Sequence, residues 1–453
     1  MTKRHGYALL AAICALVVAV SAAIYAGVGL DDGTADKPLA GSRPHNPAAP
    51  ASTGTWIGAW SASPMGGEPG TETNGLAGRS VRNVVHANAG GTSARVTLSN
   101  LYGQRPLTIS HASIAVAAAA GSPAATADSM SRLTFNGSAS VVIPSGQQVV
   151  SDVVRVTVPQ DTDLLVTTYS PTPSGPVTYH PQARQISYTA EGNRTQDVSG
   201  TPYTTQTLYW RYVTAVDVLS HRANGTVVVL GDSLTDGSTS TVGANRRWTD
   251  ALAARLRDAA DTSGTSGTSG STGSSAVPRY SVVNQGISGN QVLAHGAGRP
   301  PENPSGLSRF ERDVLGRTGV RAVVIDLGIN DILRSQGSPD PEAILDGLRT
   351  MVDQAHARGL RVVGATLMPF QGHRGYRADR EAARQTVNAE IRAGRVYDAV
   401  VDFDKALRDP YDPRRLRSDY DSGDHLHPSD KGYARMAEVF DLEALKGSAP
   451  AEL

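Results

Sequence analysis

A serine follows a strand-like run in Val228-Val229-Leu230-Gly231-Asp232-Ser233-Leu234-Thr235. An apolar, β-branched run that stops at a glycine and offers a hydroxyl two residues later suits a buried parallel strand. Such a strand delivers its last side chains to the carboxyl edge of the sheet, where ligands bind in open α/β folds. An alcohol becomes a nucleophile near neutral pH only when a neighbouring base takes its proton. His427 can serve as that base and then return the proton to a leaving group. Asp424 lies three residues earlier. In a helical turn the two would share a face, so Asp424 can hold the imidazole tautomer and stabilise the imidazolium. His425 is a competing base, but it is adjacent to Asp424 and less well spaced.

Attack on a carbonyl also needs N–H groups aimed at the developing oxyanion. Gly289 closes the block Asn284-Gln285-Gly286-Ile287-Ser288-Gly289, and a glycine after a strand lets the backbone approach a substrate closely. Asn330, in Gly328-Ile329-Asn330-Asp331, offers a side-chain amide at a strand end. The Ser233 backbone N–H is the third candidate donor. Each residue has an ordinary reading too: Ser233 as a helix cap, Gly289 as a turn, Asn330 as a turn or cap, Asp424 and His427 as a surface pair. Their joint occurrence in this order favours the chemical reading. Asp236, Asp326 and Asp331 are expected to be helix-start or structural carboxylates.

Other chemistries find no support. The chain has no G-x-S-x-G, H-E-x-x-H or G-x-x-x-x-G-K-[ST] pattern. Its one cysteine, Cys14, lies in an N-terminal apolar run, so disulfides, a thiol nucleophile and cysteine metal sites are excluded from the folded part. No metal and no cofactor is expected. The 42 basic and 42 acidic residues balance, and no basic surplus points to nucleic acid.

These residues need elements to position them. Of the 453 residues, 40% are hydrophobic and 19% charged, as in folded globular protein, and the length suits two domains plus tails. Residues 1–30 read as a signal peptide or a membrane anchor: Lys3, Arg4 and His5 precede an uncharged stretch from Gly6 to Leu30. Residues 31–54 read as a disordered Pro/Ala/Gly/Ser linker reaching roughly 25–30 Å. Residues 55–225 show short alternating runs such as Ala94–Ser99 and Val153–Val158, separated by turns, and predict an antiparallel sandwich. Trp56, Trp60, Tyr179, Tyr188 and Trp210 read mostly as its core, with a sugar or acyl site as the alternative.

Residues 226–447 alternate strand and helix. Strands are expected at Thr226–Leu230, Tyr280–Val283, Arg321–Leu327, Arg361–Thr366 and Ala399–Phe403. Helices are expected from Trp248 to Leu256, Pro341 to Arg358 and Ala378 to Arg392, with another over Gly432–Phe440. This pattern implies right-handed βαβ units and a mostly parallel sheet. Asp261–Ser275, rich in Thr-Ser-Gly, reads as a flexible insertion.

The four blocks, Gly231–Leu234, Asn284–Gly289, Gly328–Asp331 and Asp424–His427, resemble those of the SGNH hydrolases, also called the GDSL esterase/lipase superfamily. The resemblance covers about Thr226 to Gly447. It implies a flavodoxin-like three-layer α/β/α domain and metal-independent hydrolysis of carboxylic esters. Ser233 would be the nucleophile, Gly289 and Asn330 oxyanion donors, and Asp424 and His427 the acid and base. Thr55–Pro64, Val81–Asn100 and Tyr179-His180-Pro181 are similar to secreted actinobacterial members with an extra β-rich region. The expectation is an exported serine esterase acting on a small-molecule, glycan or lipid ester, either secreted or held at the membrane by an uncleaved N-terminal segment. An O-acyltransferase using the same residues, and a surface carbohydrate-binding protein with an inert hydrolase half, are the alternatives. The loops His295–Ser308 and Gln371–Arg377 leave the pocket, and so the ester, undefined.

Overall fold

The carboxyl edge that carries the serine belongs to a five-stranded parallel sheet in a computed structural model that describes residues 54–265 and 277–448. The expected N-terminal segment, almost all of the expected linker, and the insertion beyond Thr265 lie outside the described residues.

The sheet runs, in spatial order, Tyr280–Gly286, Gly225–Gly231, Val320–Asp326, Arg361–Ala365 and Ala399–Val401. All four pairings are parallel. In chain order this is 2-1-3-4-5, the flavodoxin-like arrangement, whose switch point lies between the first and third strands. Seven consecutive residues of the Gly225–Gly231 strand are buried, because helices cover both faces of a parallel sheet. The helices Trp248–Thr265, Pro341–His356, Ala378–Arg392 and Asp430–Glu438 accompany the sheet, and their inner faces share one core with it. The first of these runs past its expected end at Leu256 and takes in Asp261–Thr265, so the start of the expected insertion is helical. Leu252, Ala253 and Leu256 pin its inner face, and each further helical residue adds a hydrogen bond to a turn already nucleated.

Residues 55–220 form two main antiparallel sheets. One holds Thr55–Ser61, Val213–Ser220, Gly91–Ser99, Val154–Val158 and Gln148–Val150. The other holds Thr205–Thr207, Ser187–Glu191, Arg79–Ala87, Thr162–Ser170, His111–Val116 and Ser131–Arg132. Alternation along Arg79–Ala87 sends Val81 and Val85 into the core between the sheets and Val84 to a smaller cluster with Leu165 and Tyr188 on the outer face. Trp60, Tyr188 and Trp210 are buried, whereas Trp56 and Tyr179 are partly exposed.

The sandwich is joined to the parallel sheet by specific polar contacts. Gly58 N donates to Thr226 Oγ1 at 3.0 Å. The Asn88 side chain pairs with both backbone groups of Val282, accepting from its N–H at 3.2 Å and donating to its carbonyl. An amide thus stands in for a neighbouring strand at a sheet edge that would otherwise be open.

Gly286, the last residue of its strand, lies so close to the serine-bearing turn that an added Cβ would meet Asp236 N at 2.3 Å and Thr235 C at 2.8 Å. Both obstacles are backbone. Gly286→Ala should therefore cost about 1–3 kcal/mol of stability and lower esterase activity by moving that turn. A variant with unchanged chemical denaturation midpoint and activity would show that the contact relaxes freely.

Candidate active site

The Gly225–Gly231 strand ends in the short helix Ser233–Asp236. Asp232, not Ser233, is its N-cap: Asp232 Oδ1 accepts from Leu234 N at 3.0 Å. The serine hydroxyl is thereby left for other partners. Ser233 is almost wholly buried, at 8% exposure.

His427 and Asp424 sit on a loop rather than a helical turn, directly before the helix Asp430–Glu438. Asp424 Oδ1 accepts from Leu426 N at 3.0 Å and His427 N at 2.8 Å, which gives the loop its shape. Asp424 Oδ2 meets His427 Nδ1 at 2.6 Å, and His427 Nε2 meets Ser233 Oγ at 2.8 Å. An ionised carboxylate only accepts, so Nδ1 carries the proton and Nε2 is left to receive the serine proton. Partial burial acts to raise the Asp424 pKa. The hydrogen bonds from the His427 ring and from the two backbone N–H groups outweigh it and hold the carboxyl well below the usual carboxylate range. The loop is fastened to the segment after Ser233 by Thr239 Oγ1, which donates to Pro428 O at 2.8 Å, and by Asp430, which accepts from Thr241 N at 2.9 Å and Thr241 Oγ1 at 2.6 Å. His425 turns to Asp421, with Nδ1 2.6 Å from Oδ2.

Asn330 lies in the helix Ile329–Arg334, just past the Val320–Asp326 strand. Its Nδ2 donates to Asp232 Oδ2 at 3.0 Å. Asp232 therefore caps the serine helix with one oxygen and orients the Asn330 amide with the other. Gly289 has φ +75°, a conformation that favours glycine. The Ser233 and Gly289 backbone N–H groups meet no acceptor among the described residues. These two N–H groups and the oriented Asn330 amide are the candidate donors for an oxyanion.

The Gly289 N–H is aimed by contacts that the sequence did not reveal. Asn303 Nδ2 donates to Ser288 O at 3.0 Å, fixing the plane of the Ser288–Gly289 peptide. Asp236 Oδ2 accepts from Ser288 N at 2.9 Å and Ser288 Oγ at 2.7 Å. Both anchors reach back to the sandwich. Asn303 N donates to Met65 O at 2.7 Å, and Asp236 Oδ1 lies 2.9 Å from His180 Nε2. His180 Nδ1 faces Ser63 O at 2.8 Å. Both ring nitrogens of this buried histidine face acceptors, so both carry protons. Burial works against the charged ring, but the Asp236 carboxylate outweighs it and raises the pKa. The buried guanidinium of Arg309 binds Gly231 O at 2.9 Å, Gln285 O at 2.7 Å, Asn290 Oδ1 at 3.0 Å and Ser63 Oγ at 3.0 Å.

Asp326 and Asp331, read as structural carboxylates, accept from Thr235 Oγ1 at 3.1 Å and from Val292 N at 2.8 Å. Among the described residues no group of three or more His, Cys, Asp or Glu side chains could hold a metal. Nor is any described helix long and apolar enough to cross a membrane.

If His180 aims the oxyanion loop, His180→Ala should lower kcat about 10-fold or more while KM moves by less than about twofold, because small displacements at a reacting centre are costly. Equal kcat in a folded variant would remove His180 from this role. A pH effect follows from the buried acids. Burial, then the neighbouring Asp326 charge, raise the Asp232 pKa, and burial raises that of Asp326. A raised carboxyl keeps in the fold a proton that it loses on unfolding. Stability from this pair is therefore lost as pH rises from the ordinary carboxylate range through the folded values. Asp326→Asn should make the drop in Tm between about pH 5 and about pH 8 shallower; an unchanged slope would show that Asp326 does not titrate there.

Residues 229–435 match the GDSL-like lipase/acylhydrolase family. The chain matches none of the curated proteins. Solved structures similar to it include LAE5, an alpha/beta hydrolase enzyme from the metagenome of Lake Arreo (21% identity, 49% of this chain and 95% of that one, TM-score 0.36). Est24, a carbohydrate acetylesterase from Sinorhizobium meliloti, is another (18% identity, 47% and 94%, TM-score 0.35). A third is a member of the lipolytic protein G-D-S-L family from Veillonella parvula (16% identity, 47% and 94%, TM-score 0.31). The family match spans all four sequence blocks, and residues 229–435 form a domain of the GDSL, or SGNH, hydrolase superfamily of carboxylic ester hydrolases.

Proposed function

We propose that this protein is an exported serine esterase that cleaves acetyl or short acyl esters, on a carbohydrate or lipid alcohol, through an acyl-enzyme on Ser233. The observation that carries the mechanism is the line of contacts Asp424 Oδ2 to His427 Nδ1 at 2.6 Å and His427 Nε2 to Ser233 Oγ at 2.8 Å. His427 takes the Ser233 proton as Oγ attacks the ester carbonyl. The carbonyl oxygen gains the negative charge and rests on the Ser233 and Gly289 N–H groups and the Asn330 amide. The C–O bond to the alcohol then breaks, and His427 protonates the departing oxygen. Water, deprotonated by His427, attacks the acyl-enzyme; Ser233 Oγ leaves with the proton, and the free acid is released.

Two features support the location and the substrate range. The N-terminal Lys3, Arg4 and His5 ahead of the uncharged Gly6–Leu30 stretch support export. The surface position of the catalytic loop, with Asp424 and His425 exposed, supports an open site that admits a bulky alcohol.

Ser233→Ala should abolish turnover of a p-nitrophenyl ester and labelling by a fluorophosphonate. Asn330→Ala should reduce kcat by about 10²–10³. Wild-type rates in the Ser233 variant would eliminate this nucleophile, and a loss below about threefold at Asn330 would eliminate that donor. Product analysis with and without a glycan acceptor separates hydrolysis from acyl transfer.

A further inference from the structure

One charged group beside the oxyanion donors takes no part in the chemistry above. Arg334 ends the helix that carries Asn330. The two are four residues apart and so lie on one face, with Arg334 a turn further along. Its guanidinium lies against Gly289: a Cβ added there would meet Arg334 Nη2 at 2.3 Å. The guanidinium is solvent-exposed and forms no ion pair or hydrogen bond with another described residue. Arginine in the last turn of a helix complements the helix dipole. That role explains a positive charge at this position, but it does not require the guanidinium to lie over an oxyanion donor.

The surrounding rim does not neutralise it. His373 stands near the catalytic loop, within electrostatic reach of Asp424, His425 and His427, with the Arg374 charge beside it. The two carboxylates of that loop, Asp421 and Asp424, are each engaged by a histidine at 2.6 Å. A planar guanidinium with free donors suits a carboxylate, phosphate or sulfate, which it can bind through two parallel N–H bonds. Its place beside Gly289 puts such a group within one sugar or one short acyl chain of the scissile carbonyl.

We propose that Arg334 forms an anion subsite, and that the preferred substrates are esters bearing a negative charge close to the ester bond. The inference rests on the esterase reading of Ser233 and narrows it to a substrate class. An anion on the acyl side and an anion on the alcohol side share this chemistry, and the test separates them. The measured quantity is the ratio of kcat/KM for an anionic ester to that for its neutral counterpart. A p-nitrophenyl hemisuccinate against p-nitrophenyl butyrate probes the acyl side. An acetylated glucuronic acid against acetylated glucose probes the alcohol side.

In the wild-type enzyme at least one ratio should exceed about 10 and fall as salt is raised, since exposed charges are screened. Arg334→Ala should bring that ratio close to 1, and Arg334→Glu should drive it below 1. Circular dichroism and labelling of Ser233 by a fluorophosphonate check that both variants are folded and competent. Wild-type ratios at or below 1 on both sides would overturn the subsite while leaving the esterase intact. So would ratios that survive both substitutions, or equal losses on charged and neutral esters, which would mean that Arg334 supports the oxyanion itself. Absence of turnover and labelling in the wild-type enzyme would instead sink the esterase reading on which the subsite rests.

Discussion

One buried guanidinium ties together the strand ends that carry this site. Arg309 is 1% exposed and binds the last carbonyls of two adjacent strands, Gly231 O and Gln285 O, together with Asn290 and Ser63. A charge taken from water is tolerable only when its donors are satisfied and a counter-charge is near. Here Asp313 provides the counter-charge at 3.3 Å. Burial lowers the arginine pKa to about 10, which still leaves it charged at neutral pH. The consequence is geometric. One rigid, planar group fixes the end of the strand that presents Ser233, the end of the strand that leads to Gly289, and a loop of the sandwich.

Around that anchor the carboxylates divide the work. Asp232 caps the serine helix and turns the Asn330 amide with its other oxygen. Asp236 holds the peptide before Gly289 and is itself held by His180. Asp424 shapes its loop through two backbone N–H groups and holds the His427 ring through its second oxygen. In each case two oxygens of one side chain couple a backbone segment to a functional group, so local folding and site geometry are set together. The sandwich takes part through His180, Met65 and Ser63, which makes it a wall of the site's support as well as a neighbouring fold.

Much of the architecture is written locally. The Val/Leu run before Gly231, the Pro at the start and Gly after the end of the Pro341 helix, and the period-two runs of the first half each state their element without knowledge of the rest. Element ends are less local. The Trp248 helix runs on to Thr265, nine residues past Leu256, the last of its residues in the core, because each added residue extends a helix already nucleated. Asp424 and His427 are spaced for a helical turn, yet the pair is held on a loop by backbone N–H groups donating to Asp424.

Residue types and their order single out the candidate reactive groups: a hydroxyl after a strand, a histidine three residues past an aspartate, a glycine and an asparagine at two further strand ends. These are short-range statements, and a linear chain holds them. Folding alone decided which carboxylate serves which partner. Asp232, Asp236, Asp326 and Asp331 look equivalent in the chain, and His180 and Arg309 carry no signal of their roles. Their partners lie up to 246 residues away. Orientation of a donor depends on what approaches it in space, so it arises only when the sandwich and the parallel sheet close on one another.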